Sequence, residues 1–249
     1  MTVRLGTTLA LRDVDFRVNG GEHVALVGPN GSGKTSLLLA LKGAIVPQRG
    51  RVALGCARVE RLDLRVGLVF ANPEDQGVAP VVEDDVAFGL ENQGLSPGEI
   101  QRRVEECLRS VGLWALRSAP VHALSGGQAQ KMALAGVLAL GARFLLLDEA
   151  TSMLSPWERD SVMGTVTALR GEGVGVVQVT HQAEELLRAD RVVSLAGGVV
   201  AFEGTPEAYF AWEGRGLPLP AYEGVRRAAA KAGSALPPHG ELTAWVARC

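Results

Sequence analysis

The sequence predicts an α/β fold: a mostly parallel sheet with crossover helices, an antiparallel β part at the N-terminus, an inserted α-helical subdomain and a small C-terminal appendage. Three observations carry this. A glycine-rich turn at residues 28–35 lies between the apolar run 24–27 and the helix-forming run 36–42. Between residues 144 and 202, short apolar runs alternate with helical stretches, the pattern of strands joined by crossovers. Residues 83–142 change character and read as helical.

Taken in order, residues 2–27 read as strands at Val3–Leu5 and 9–18, a turn at Asn19-Gly20-Gly21, and the strand entering the glycine-rich loop. Asn-Gly favours a hairpin because both residues tolerate positive φ, so antiparallel pairing across this turn is expected. Strands follow near 52–54 and at Val66–Phe70, the latter wholly apolar and expected at the sheet centre. In the helical block Val86 and Leu90 share one apolar stripe. Ser96-Pro97-Gly98-Glu99 is a helix start, with Ser96 as N-cap, Pro97 at the first position and Glu99 placed to close a capping box. Ile100, Val104, Cys107, Leu108 and Val111 recur at helical spacing until Gly112, leaving Arg102, Arg103, Glu105 and Glu106 on a solvated face. Phe144–Asp148 is a buried strand ending in a carboxylate. A helix at 158–170, a strand at 174–179, a short helix at 182–188 and a strand pair at 191–202 turning at Gly197-Gly198 follow. The composition shifts from about Gly214, where Leu217-Pro218-Leu219-Pro220 breaks regular structure. Short helices at 221–232 and 240–249 then form an appendage suited to a dimer or partner contact.

With 249 residues, 47% hydrophobic and 21% charged, the chain has a globular composition and can bury a sizeable core. A net charge of −2 gives no overall pull towards nucleic acid, and no nucleic-acid partner is expected. Cys56, Cys107 and Cys249 have neither disulfide-framework nor zinc spacing and fit a reducing compartment. There is no apolar run of about 18 residues and no long apolar N-terminal signal segment, so the chain is not expected to cross a membrane itself.

The turn Gly28-Pro29-Asn30-Gly31-Ser32-Gly33-Lys34-Thr35 fits G-x-x-x-x-G-K-[ST] in strand–loop–helix context, which makes the α/β core a P-loop NTPase core. Its glycines let the backbone fold around phosphate oxygens, and the helix start points unpaired N–H groups at the anion. Lys34 can reach the β- and γ-phosphates and the Thr35 hydroxyl can ligate Mg²⁺. Asp148, at a strand end, can hold Mg²⁺ through water, and Glu149 can act as general base on a water. His181 follows a buried strand, where a capping or core role stands beside a γ-phosphate contact. Leu124-Ser125-Gly126-Gly127-Gln128 opens a second helix whose hydroxyl and glycine N–H groups face an anion. Two such helix starts in one chain are reconciled by a head-to-tail pair of chains, each serving the other's nucleotide.

These motifs, in this order, resemble the ATP-binding subunit of ABC transporters over about residues 9–210: Walker A (GPNGSGKT), the signature (LSGGQ), Walker B with its catalytic Glu (FLLLDE) and the switch His (VTH). VFANPEDQGVAPVVEDDVAFG, DEATSMLSP and the Leu-Pro-Leu-Pro-led tail resemble the energy-coupling-factor and cobalt type of importer. The resemblance implies an ATPase domain at 1–213, with its helical subdomain at about 83–142, and an appendage at 214–249. It implies ATP and Mg²⁺ as ligands, held by Gly28, Asn30, Gly31, Ser32, Gly33, Lys34, Thr35 and Ser36, with Thr35 and Asp148 on the metal. Glu149 and His181 would be catalytic, and Ser125, Gly126, Gly127 and Gln128 would act on the nucleotide of an identical or paralogous partner. Integral membrane subunits would complete the transporter, with this chain cytoplasmic and peripheral on the inner face of the membrane. The chain departs from the family pattern at Ala71, where a Gln is usual, at Ser155, where an Asp is usual, and in having no aromatic residue within 1–8 to stack on adenine. Ala71 and Ser155 motivate an alternative reading as a degenerate ATP-binding partner of a more active paralogue.

Overall fold

The computed structural model describes residues 1–72 and 76–218. Ten strands and seven α-helices are placed: β1 Val3–Leu5, β2 Thr8–Leu11, β3 His23–Val27, α1 Lys34–Lys42, β4 Ala53–Leu54, β5 Ala57–Arg58, β6 Val66–Phe70, α2 Val82–Asn92, α3 Pro97–Ser110, α4 Gly126–Ala139, β7 Phe144–Asp148, α5 Pro156–Gly171, β8 Gly175–Val179, α6 Ala183–Leu186, β9 Arg191–Ala196, β10 Val199–Gly204 and α7 Pro206–Ala211. Six strands form one sheet in the order β10-β9-β3-β8-β7-β6, parallel except for the β9–β10 hairpin.

Alternation along the central strands divides the core. Val24, Leu26, Leu146 and Val177 pack with Leu37 and Leu38 of α1 on one face. Leu145, Leu147 and Val176 pack on the other with the α2–α5 layer, including Met132, Leu134 and Val166. Ala25, Val27 and Val192 meet Leu186, Tyr209 and Phe210 in a third cluster.

Four expectations are corrected. The segment 12–18 is not strand: Arg12 N–H donates to Gly198 O and Val14 N–H to Met1 O, and Asp13 has φ 49°. Asn19-Gly20 makes no hairpin, because both edges of β3 are taken by the parallel neighbours β8 and β9. The turn is closed instead by Glu22, whose carboxylate accepts from Asn19 N at 2.8 Å, and the antiparallel N-terminal pair is β1–β2. β6 is an edge strand of the sheet, not a central one. It is apolar because its faces are buried, with Val66 packed on the α1 side and Val69 on the α2–α5 side. Glu99 does not close a capping box: Ser96 accepts from Glu99 N–H, while the Glu99 carboxylate pairs with Arg102 and Arg103. Of the C-terminal appendage, 219–249 lies outside the described residues. Leu217, before them, packs against the cluster of Tyr209 and Phe210.

Candidate functional site

Residues 28–35 link β3 to α1. Gly28 has φ 141°, and a Cβ there would lie 2.1 Å from Leu195 O, so only glycine lets the loop leave the sheet at this point. α1 begins at Lys34, earlier than the apolar run suggests. Its N-cap Gly33 (φ 104°) supplies no side-chain cap, and its first turn carries no acid. Its first backbone N–H groups are thereby left to an anion from outside. The Lys34 ammonium curls onto this loop, donating to Gly28 O at 2.8 Å and Pro29 O at 3.1 Å. Burial pulls the Lys34 pKa down, and Glu149 and Asp148 pull it back up. Ser32 Oγ is buried without a partner, an orphan that a phosphate oxygen would satisfy. Asn30, Gly31 and Thr35 are exposed and Ser36 half-buried.

Register brings the next groups to the same edge of the sheet. β7 ends at Asp148, opposite Phe70 of β6 and Val179 of β8. Burial raises the Asp148 pKa, partly offset by a hydrogen bond from the Thr35 hydroxyl. Glu149 turns the chain away with φ 55°, a left-handed conformation unfavourable for a side-chain-bearing residue. This turn sets its carboxylate 3.1 Å from His181 Nε2, just past β8. Thr35, Asp148 and Glu149 line one open cleft of about 530 Å³ with Phe70, Ala71, Asn72 and Gln76. Ala71 brings no polar side chain to it, whereas Gln76 accepts from Phe70 N–H at 3.2 Å. Gln130 of α4, fully buried, donates to Phe70 O at 2.9 Å and braces this strand end from behind.

The chemistry of these donors fits Mg²⁺. Thr35 and Asp148 are adjacent hard oxygen donors, and a magnesium ion held by one or two side chains completes its shell with phosphate oxygens and water. Among the described residues no cluster of three or more His, Cys, Asp or Glu side chains could hold a metal ion by itself.

The signature residues 125–128 line a different cleft, of about 570 Å³, through Gly126 beside Leu124, Met153 and Leu154. Ser125 caps α4 in a complete capping box with Gln128. Gly127 N–H donates to Glu158 Oε1 at 3.1 Å, and Glu158 also accepts from Ser155 Oγ at 2.8 Å. These donors, with Ser125, hold the Glu158 carboxyl down to about 2. Ser155, the departure from Asp, thus caps α5 with a capping box of its own. Sequence reasoning missed Glu158, although Ser155-Pro156-Trp157-Glu158 has the S-x-x-E form.

The chain is similar to known proteins over most of its length. The model of the ABC transporter family matches residues 11–152. The energy-coupling factor transporter ATP-binding protein EcfA1 of Latilactobacillus sakei subsp. sakei is 41% identical over 239 residues, covering 92% of this chain and 85% of that protein. The structure of cbiO1 from Clostridium perfringens, part of the ABC transporter complex cbiONQ, matches with TM-score 0.80 at 28% identity over 93% of both chains. A dimeric bacterial ABC transporter cassette matches with TM-score 0.68 at 27% identity, over 82% of this chain and 95% of that one. With an uncapped glycine-rich helix start, two carboxylates and a histidine at one sheet edge, and a family match over more than half its length, this chain belongs to the ABC transporter family.

Proposed function

We propose that this chain is the ATP-hydrolysing subunit of an importer of the energy-coupling-factor type, whose cargo is a vitamin or a transition-metal ion. The observation that carries the reading is the convergence of Lys34, Thr35, Asp148 and the Glu149–His181 pair beside a helix start that the chain leaves uncapped. The names of its relatives support the class of importer.

In this reading the N–H groups of residues 28–36 and the Lys34 ammonium bind the ATP phosphates. Thr35 and Asp148 hold Mg²⁺, which when bound neutralises charge on the phosphoryl group. Glu149 orients water and takes its proton as the water oxygen attacks the γ-phosphorus; the bond to the bridging oxygen breaks, giving ADP and phosphate. His181 holds the Glu149 carboxylate and faces the γ-phosphate. Ser125, Gly126, Gly127 and Gln128 serve the nucleotide of a second ATPase subunit in a head-to-tail dimer. Closure on ATP and reopening after hydrolysis move integral membrane subunits, since binding shifts only states it distinguishes. No helix among the described residues is long and apolar enough to cross a membrane. The chain works peripherally, on the cytoplasmic face.

The test is phosphate release from Mg-ATP by the purified chain. Glu149→Gln should lower turnover by about a hundredfold or more at unchanged ATP affinity, the usual effect of losing a general base. Equal rates for the two proteins would sink the reading for a homodimer.

A further inference from the structure

A chain of buried polar side chains links the start of β3, through β8 and α6, to the loop after β7. His23, Gln178, Glu185 and Thr151 are each at most 3% exposed. His23 Nε2 meets Gln178 Oε1 at 2.9 Å, and Gln178 Nε2 donates to Glu185 Oε2 at 2.7 Å. From the other side Thr151 Oγ1 donates to Glu185 Oε1 at 2.6 Å. The Arg159 guanidinium lies 3.7 Å from the same carboxylate. Both Glu185 oxygens are therefore occupied by donors from different elements.

These elements carry the two catalytic candidates. Thr151 follows Glu149 by two residues on the loop between β7 and α5. Gln178 precedes His181 by three residues on β8, and Glu185 follows it by four on α6. The Glu149–His181 contact itself is open to water, its side chains 37% and 41% exposed. Exposed ion pairs contribute little and do not fix their own geometry. A buried carboxylate with all its partners in place is rigid, and removing a partner leaves a strongly unfavourable group behind.

We propose that Glu185 is a positioning residue for hydrolysis: by joining Thr151 to Gln178, it locks the loop carrying Glu149 to the strand that leads into His181 and holds that pair at its working separation. The proposal rests on the reading of Glu149 and His181 given above. It assigns a role in turnover to residues that touch no nucleotide.

The experiment compares the parent chain with Glu149→Gln, Glu185→Ala, Thr151→Val and Thr151→Ser, measuring Mg-ATP turnover and, by calorimetry, ATP affinity. Thr151→Val keeps the shape and removes the hydroxyl, so it tests the link even where Glu185→Ala fails to fold. Thr151→Val is expected to lower kcat by about tenfold or more, the scale of a sub-ångström misplacement of catalytic groups. ATP affinity should stay within about twofold, because the P-loop contacts remain, and Thr151→Ser should restore most of kcat. Parent turnover no faster than Glu149→Gln overturns the site reading and this inference with it. Turnover abolished by Glu149→Gln but unchanged in Thr151→Val overturns the inference alone. So does a parallel loss of kcat and affinity in Thr151→Val that Thr151→Ser does not repair.

Discussion

The molecule has two glycine-rich helix starts, and it treats them in opposite ways. At α1 the N-cap Gly33 offers no side chain and the first turn holds no acid. At α4 Ser125 and Gln128 cap each other, and Gly127 N–H is taken by the Glu158 carboxylate. Both helices present the same partial positive charge and unpaired donors. The difference lies in who satisfies them. α1 leaves its donors to a ligand, with only the Lys34 ammonium folded back on the loop carbonyls. α4 already holds an anion supplied by its own chain. An open start suits a nucleotide this chain binds alone; a self-satisfied start suits one that arrives with a partner and must displace a resident carboxylate.

The sharpest way to break this contrast is at α1. Lys34→Ala removes a buried charge-assisted donor, and ATP affinity should fall by about a hundredfold, or ~3 kcal/mol. Calorimetric affinity within twofold of the parent would mean that backbone donors alone hold the phosphates.

A smaller effect is expected at α4. Glu158→Gln keeps the shape of the side chain but weakens its hold on Gly127 N–H, because a neutral acceptor replaces a charged one. In a Glu149→Gln background, ATP-dependent dimerisation should tighten by about threefold to tenfold, the range of one charge-assisted hydrogen bond, with monomer ATP affinity unchanged. Light scattering over a concentration series measures this. A weaker dimer would show that Glu158 orders the signature rather than competing for it.

The legibility of the two starts in the sequence differs for a physical reason. The P-loop is local: strand, glycines, Lys34 and Thr35 lie within one short stretch, and the strand-end positions of Asp148 and His181 follow from the alternation of strands and helices. Glu158 reaches Gly127 from 31 residues away, and His23 reaches Gln178 from 155, so neither contact leaves a local pattern. The misreading of β6 has the same origin. An edge strand covered on both faces shows the same unbroken apolar run as a central one, because the run reports burial and not the number of neighbours. Asn19-Gly20 fixed a turn correctly but not its partner, which depends on whether β3 has a free edge.

The smallest expected effect is on stability in acid, and it belongs to the α4 start alone. Glu158 is held at about 2 in the fold against an ordinary value of 4.5, mainly by Gly127 N–H and then by Ser155 and Ser125. Between those values the unfolded chain binds more protons than the folded one. The carboxylate's contribution is therefore fully present above about pH 4.5 and is lost as pH falls towards 2. α1 has no acid in its first turn and no counterpart to this loss. His23 acts in a higher window: burial, then Arg170, lower it to about 4 from 6.5 despite Gln178 and Asp190, so its contribution is lost as pH falls from 6.5 to 4. Because His23 is unchanged in Glu158→Gln, comparing that variant with the parent cancels it. The two proteins should differ by a few degrees in Tm at pH 7, on the order of one exposed capping interaction, and the gap should narrow steadily as pH falls from 4.5 towards 2. A gap undiminished at pH 3 would mean that the side chain stabilises α4 and α5 by packing, and that the anion at the signature contributes no charge to the fold.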